Sequence, residues 1–242
     1  MKKKSALPFL FTLVIFSKPI TAQVTQLELT TGFYKSDFSS LTIKSLDDKN
    51  KFSISTLAFF QKFYRKEDFL FDETGVQTSV YWNFRKNLSV GPSLYYNSVS
   101  GFSEKISFPI FIGGSHLVFV AIPAIFHTEN NGSINGGLFF QLQYMKHIKR
   151  EWNFWVNTQV LTEWNRFSTH SRSFQQVRIG VAYKNNQFGA AADLDAYGHT
   201  QIWKKSIGIL CERSSRKNDF LNYFIFQQRR CSQLYRINNQ TI

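Results

Sequence analysis

The stretch Trp152-Asn153-Phe154-Trp155-Val156-Asn157-Thr158-Gln159-Val160-Leu161-Thr162-Glu163-Trp164-Asn165 decides the fold. One side of it shows Trp152, Phe154, Val156, Thr158, Val160, Thr162 and Trp164. The other shows Asn153, Trp155, Asn157, Gln159, Leu161, Glu163 and Asn165. Alternation kept over this length is the period of an extended strand, whose side chains point to opposite faces in turn. Strands of soluble domains usually run only ~5–6 residues. The two terminal Trp are separated by roughly 40 Å at ~3.3 Å rise per residue. Tilted by ~45°, that becomes about 28 Å, close to the ~25 Å apolar band between the aromatic girdles of a transmembrane barrel. Trp152 and Trp164 therefore read as girdle residues. Asn157, Gln159 and Glu163 read as lumen-facing.

Working outward, the same period recurs. Leu88, Val90, Pro92, Leu94 and Tyr96 alternate with Ser89, Gly91, Ser93, Tyr95 and Asn97. Val177, Ile179, Val181 and Tyr183 alternate with Gln176, Arg178, Gly180 and Ala182. Phe188, Ala190, Ala192 and Leu194 alternate with Gly189, Ala191, Asp193 and Asp195. Asn185-Asn186 suits a two-residue hairpin turn, because Asn tolerates positive φ. That turn predicts Arg178 opposite Asp193 and Gln176 opposite Asp195. Charges on the lipid face near the midplane cost ~2–4 kcal/mol for Arg, less for Asp. Gln176, Arg178, Asp193 and Asp195 are therefore expected inside.

Twelve strands are expected, near 26–34, 40–46, 51–64, 74–84, 88–99, 104–112, 116–126, 135–146, 151–164, 172–184, 187–197 and 201–211. Ten is the alternative, since 26–46 is the weakest region. Short connections (47–50, 85–87, 112–116, 147–150, 184–187) alternate with longer ones (35–40, 65–73, 100–104, 127–134, 165–172, 198–200). Barrels of bacterial outer membranes have short periplasmic turns and longer external loops. The expectation is an all-β, single up-and-down antiparallel transmembrane β-barrel over 23–211, with both ends in the periplasm.

Met1-Lys2-Lys3-Lys4, the apolar run from Ala6 to Phe16 and Thr21-Ala22 have the layout of a secretory signal peptide, cleaved near Ala22. The apolar run is too short for a helix spanning ~30 Å. Ile106 to Phe126 is the most apolar stretch, but Pro109, Gly113-Gly114 and Pro123 break it into extended pieces. An exported chain without a helical span is either soluble or crosses a membrane as a closed barrel.

Composition removes other classes. The 242 residues are 43% hydrophobic and 17% aromatic with 26 Phe, which excludes a disordered chain. Two Cys exclude a disulfide scaffold; Cys211 and Cys231 either pair in an oxidising compartment or stay as two thiols. The net charge of +13 divides unevenly. Four Lys lie in 1–22, and the segment 213–242 holds six Lys/Arg against Asp219. The span 23–212 carries 19 basic and 15 acidic residues. No basic stripe remains for nucleic acid.

Several segments resemble outer-membrane β-barrel proteins of Gram-negative bacteria, in particular the Phe- and Tyr-rich uncharacterised barrels of Bacteroidetes. They are the Ala22-Gln23 junction, Ser55-Thr56-Leu57-Ala58-Phe59-Phe60-Gln61-Lys62, Val90-Gly91-Pro92-Ser93-Leu94-Tyr95-Tyr96-Asn97 and Phe167-Ser168-Thr169-His170-Ser171-Arg172-Ser173-Phe174-Gln175-Gln176. The similarity covers about 23–210. It implies an outer-membrane location, lipid and the barrel-assembly machinery as partners, and no assigned chemistry. Barrels of this class commonly end on a strand with an aromatic last residue. Here a basic tail, 212–242, follows and ends in Ile242; it reads as a disordered or aberrant terminus, such as a frameshift product, or as a periplasmic extension.

Chemistry is sparse. The five His (His116, His127, His147, His170, His199) form no metal-spaced group, so no metal or cofactor is expected. His170 with Ser168, Ser171 and Ser173 is the one enzyme-like cluster; His170 and Ser171 are the weak catalytic candidates, with Glu163 a distant third group. Three functions are compatible with the sequence. The first is a structural or passive solute-passage barrel with a polar, narrow or plugged lumen. The second is a lipid-modifying enzyme with a rim His/Ser site. The third is a soluble secreted barrel binding an apolar ligand.

Overall fold

The computed structural model describes residues 23–129 and 132–215. The expected signal peptide, Cys231 and most of the basic tail lie outside the described residues. Thirteen β-segments form one antiparallel sheet that closes on itself. They are β1 (Gln23–Gly32), β2 (Lys35–Ser45), β3 (Phe52–Phe63), β4 (Glu73–Arg85), β5 (Leu88–Asn97), β6 (Gly101–Ser107), β7 (Ile110–Gly113), β8 (Leu117–Thr128), β9 (Ser133–Lys149), β10 (Trp152–Asn165), β11 (Thr169–Tyr183), β12 (Asn186–Tyr197) and β13 (Ile202–Ser214). β6 and β7 both pair with β5 and β8 and are two halves of one barrel strand, so the ring has twelve strands. Pro109 makes the break, since it has no N–H to give the ladder. Its carbonyl still accepts the Ser89 N–H at 3.0 Å, and the Phe108 N–H reaches the Pro123 carbonyl at 2.9 Å.

The first and last strands join, with Glu28 opposite Glu212 and Gly32 opposite Gly208. No strand edge is left open among the described segments, which is the condition for a sheet in hydrocarbon. β13 also takes in Glu212, Arg213 and Ser214, which sequence reading places in the tail.

The faces sort by period two. Leu29, Val80, Leu94, Ile106, Leu142, Val177, Ile179 and Ile209 are exposed on the outside. Glu28, Lys35, Gln61, Glu73, Asn157, Arg178, Asp193 and Asp195 are buried within. A contiguous apolar exterior of this extent has no place in water. The outward charges Lys44, Lys62, Glu104, Lys146, Lys205 and Arg213 stand near strand ends, where long side chains reach an interface. Val177, 45% exposed near mid-strand, gives a direct measure of this solvent. Val177→Arg is expected to cost ~2–4 kcal/mol of folding into bilayers, and Phe188→Arg, near a rim, only ~0–1. Denaturant midpoints in phosphatidylcholine vesicles test the pair, and equal costs would contradict a lipid-facing wall.

Two sequence expectations need correction. The hairpin turn is Lys184-Asn185, not Asn185-Asn186, so Tyr183 pairs with Asn186 and the register moves by two residues. Arg178 then faces Ala191, and Asp193 faces Gln176. Lys184 takes the positive φ, 52°. The cause lies further along the hairpin, where Gly180 sits opposite Gly189. A Cβ on Gly180 would stand 2.0 Å from the Phe188 carbonyl oxygen, an approach only glycine permits. A slip of two leaves every side chain on its own face, so the sequence pattern cannot distinguish the two registers.

The second correction concerns the loops. The 35–40 segment is strand, and the β1–β2 connection is Phe33-Tyr34 alone. In 36–40, Asp37 and Ser39 turn inward while Phe38 is exposed, so a polar run that reads as loop is an ordinary two-faced strand. β9 and β11 likewise begin at Ser133 and Thr169, inside the expected loops 127–134 and 165–172. The contrast between long and short connections is therefore small. The exception is 64–72, which holds a turn of 3-10 helix (Lys66–Phe71).

Candidate functional site

The interior wall carries the chemistry. Lys35, at the start of β2 and 1% exposed, places its ammonium 2.9 Å from Asp195, 3.3 Å from Asp37 and 3.6 Å from Asp193. It also donates to Gln61 at 3.1 Å. The buried ammonium is tolerable because it is paired with carboxylates and hydrogen-bonded to Asp195 and Gln61. Nearby, Glu73 on β4 receives both Arg172 of β11 and the amide of Asn97. β4 and β11 lie opposite each other in the ring: β5, β6, β8, β9 and β10 separate them on one side, β3, β2, β1, β13 and β12 on the other. The Arg172–Glu73 pair is thus a bridge across the lumen, not a contact along its wall. Lys105 on β6 pairs with Glu163 on β10 at 3.4 Å and lies over the Tyr95 ring at 4.0 Å.

The 64–72 connection folds inward over the same mouth. The Phe71 ring packs against Tyr197 (4.9 Å) and Phe63 (6.2 Å), and Lys204 stands 4.7 Å above it. The Phe71 carbonyl accepts from Gln61 at 3.0 Å, and Gln61 also donates to the Tyr197 hydroxyl at 2.8 Å. Lys204 of β13 pairs with Asp68 in the turn itself. The connection is therefore tied to β3, β12 and β13 at once.

Towards the chain-end side of the barrel the interior differs from the polar wall that the sequence suggests. Trp155, 0% exposed, packs with Met145, Ala191 and Leu210. Its strand partner is Gly180, whose neighbour is Gly189, so the two glycines clear the wall where the indole reaches across. A second apolar patch unites Val118 and Val120 with Phe111 and Ile122. Beside Trp155, Arg178 donates to Glu28 of β1 and, at 3.0 Å, to Gln176.

The site residues singled out in the sequence lie among the described residues. Asn157, Gln159, Glu163, Gln176, Arg178, Asp193 and Asp195 all stand on the inner face. The ion-pair partners of Glu163, Arg178, Asp193 and Asp195 come from strands three positions round the ring, which no local pattern announces. Lys35, Glu73, Arg172 and the 66–71 turn escape sequence reading for the same reason. Trp152 is outward and stacks on Tyr183 (4.8 Å); Trp164 lies on the same face at the other end of β10. His170 is on the outer face at that end. Its Nε2 meets the hydroxyl of Ser173, not that of Ser171. Glu163 points the other way, into the lumen. No group of His, Cys, Asp and Glu suited to a metal ion occurs among the described residues.

A closed antiparallel ring with an apolar exterior and charges paired across its inside defines the transmembrane β-barrel class, and this chain has that fold. Among solved structures it is similar to the NanC porin, with a TM-score of 0.50 and 10% identity over 81% of this chain and 100% of that one. It is also similar to the KdgM porin, with a TM-score of 0.46 and 8% identity over 78% and 98% of the two chains. At these identities the likeness concerns the fold alone. No family model matches the sequence, and no curated protein matches it.

Proposed function

We propose that this chain is an integral outer-membrane β-barrel for passive passage of small polar solutes, held narrow by its own side chains. The observation that carries this is the Arg172–Glu73 bridge, joined to the Lys35–Asp195 cluster and roofed by the 66–71 turn. Eight strands leave an interior filled by side chains and sixteen leave an aqueous channel; twelve lie between, so a few side chains decide whether the lumen conducts. Asp37, Asp193 and Asp195 share the single Lys35 ammonium, and Glu28 and Glu212 stand at the single Arg178, so the wall carries more acid than base and favours small neutral or cationic solutes. The outward apolar band and the two Trp levels of β10 support a bilayer location, and both chain ends then lie on the periplasmic side.

Planar-bilayer recording tests the reading. The wild-type protein is expected to show small, infrequent conductance steps. Arg172→Ala with Glu73→Ala, which removes both ends of the bridge and leaves neither charge unpaired, is expected to raise the unitary conductance several-fold. Absence of current from both proteins, each shown to be inserted and folded, would remove the solute-passage reading.

A further inference from the structure

We propose that His170 and Ser173, on the outside of the barrel, form a hydrolytic site for the carboxylic ester of a membrane lipid. The site is separate from the lumen and goes beyond passive passage; it rests only on the barrel standing in a bilayer. Its geometry begins with a β-bulge. Trp164 pairs with His170 and Glu163 with Arg172, so Ser171 is an extra residue in β11. Without it, residues 170 and 173 would point to opposite faces. With it, both point outward, and such re-aiming is what bulges do beside functional sites.

The imidazole is held through both nitrogens. Nδ1 lies 2.8 Å from the Gly198 carbonyl oxygen, and Nε2 lies 2.8 Å from Ser173 Oγ. A carbonyl only accepts, so Nδ1 carries the proton of the neutral ring and Nε2 is the free base. Ser173 Oγ–H is then the donor to Nε2. This is the arrangement of an activated nucleophile: hydroxyl, base, and a third group that fixes the base's tautomer and orientation. Thr162 Oγ1, 3.1 Å from Ser173 Oγ, is a second acceptor for the same single hydrogen, so the hydroxyl turns from Thr162 to Nε2 when it reacts.

The position selects the substrate. Thr162, Ser173, Ala196 and Trp203 are successive partners across β10, β11, β12 and β13, and Trp164 is the partner of His170. The dyad therefore lies between two outward Trp at one rim. Trp marks the membrane–water interface, the level at which lipid acyl esters sit. In the reaction, Ser173 Oγ attacks the ester carbonyl carbon and its proton passes to His170 Nε2. The lipid alcohol leaves with that proton, and the acyl group remains on Ser173. Water then attacks the acyl-serine, gives a proton to Nε2, and the carboxylic acid departs as Ser173 regains its hydrogen. The sum is ester plus water to acid plus alcohol.

The test uses the full folded protein in mixed micelles, with a fluorophosphonate probe, phosphatidylethanolamine, and purified lipid A. Labelling is expected at Ser173, located by peptide mass spectrometry. It is expected to vanish in Ser173→Ala, to fall ~10²-fold or more in His170→Ala, and to persist in Ser171→Ala. All variants are first shown to be folded by heat-modifiable migration on gels. Release of free fatty acid from either lipid supports the proposal and identifies which one is cleaved. Labelling that is absent or indifferent to His170→Ala, or fatty acid released from neither lipid, overturns it.

Discussion

Gly180→Val is expected to prevent assembly of the barrel. The added Cβ alone would lie 2.0 Å from the Phe188 carbonyl oxygen and 2.7 Å from the Gly189 Cα. Both neighbours are backbone, and both belong to the β11–β12 ladder, so neither yields without parting the strands. The extra methyls of valine would point inward at Trp155, the direct partner of position 180. Overpacking a dense core costs ~1–3 kcal/mol when side chains can shift. Here the obstacle is main chain on one side and a fully enclosed indole on the other, so the cost exceeds that range. The alternative open to the chain is the two-residue slip, with Gly180 opposite Ala191, which keeps every face but moves Arg178 opposite Asp193. The expected readout is loss of the heat-modifiable folded band, with the protein recovered in a urea-soluble pellet. Wild-type yield and migration for Gly180→Val would mean that the backbones are not so close.

Arg178→Ala is expected to be the second severe change. Glu28 and Glu212 face each other directly across the β1–β13 seam, both buried, and Arg178 donates to Glu28. Removing the guanidinium leaves two buried carboxyl groups side by side, with Glu28 deprived of its cation, at the strand pair that closes the ring. Breaking a buried ion pair from one side costs ~3–5 kcal/mol, chiefly because the surviving charge loses its partner. The diagnostic is therefore the double variant. Arg178→Ala with Glu28→Gln is expected to recover most of the lost stability, because the surviving carboxylate then faces an amide that can donate to it. Denaturant titration in lipid vesicles measures the cycle. If Glu28→Gln makes Arg178→Ala worse, the arginine acts by packing and not by charge.

Much of the wall is legible in the sequence because its side chains obey a period of two whatever the register. Asn157, Arg178 and Asp193 can be assigned to the inside from β10, β11 and β12 alone. Register is less legible: Asn185-Asn186 and Lys184-Asn185 turns give the same faces, and what separates them is a contact between two glycines several residues away. The closure of the lumen is not legible at all. Arg172 and Glu73 are remote in sequence and on opposite sides of the ring, and nothing in either strand signals the other. The outer-face dyad was half visible. His170 stands out as a histidine among serines, but which serine it meets depends on a one-residue bulge that strict alternation conceals.

The seam between β1 and β13 also governs how the molecule comes into being. Leu27 meets Arg213 only after nearly all the described chain has been made, and until then both β1 and the newest strand present bare backbone. Such rims invite pairing with other copies, and contacts so distant in sequence form slowly. A polypeptide halted before Ile202 would therefore not settle as an eleven-stranded ring; it would stay an open ribbon, greasy on one side and unpaired along both borders. Safe delivery then depends on shielding those borders until the final segment arrives, which makes the last strand the clasp that turns an aggregation hazard into a membrane protein.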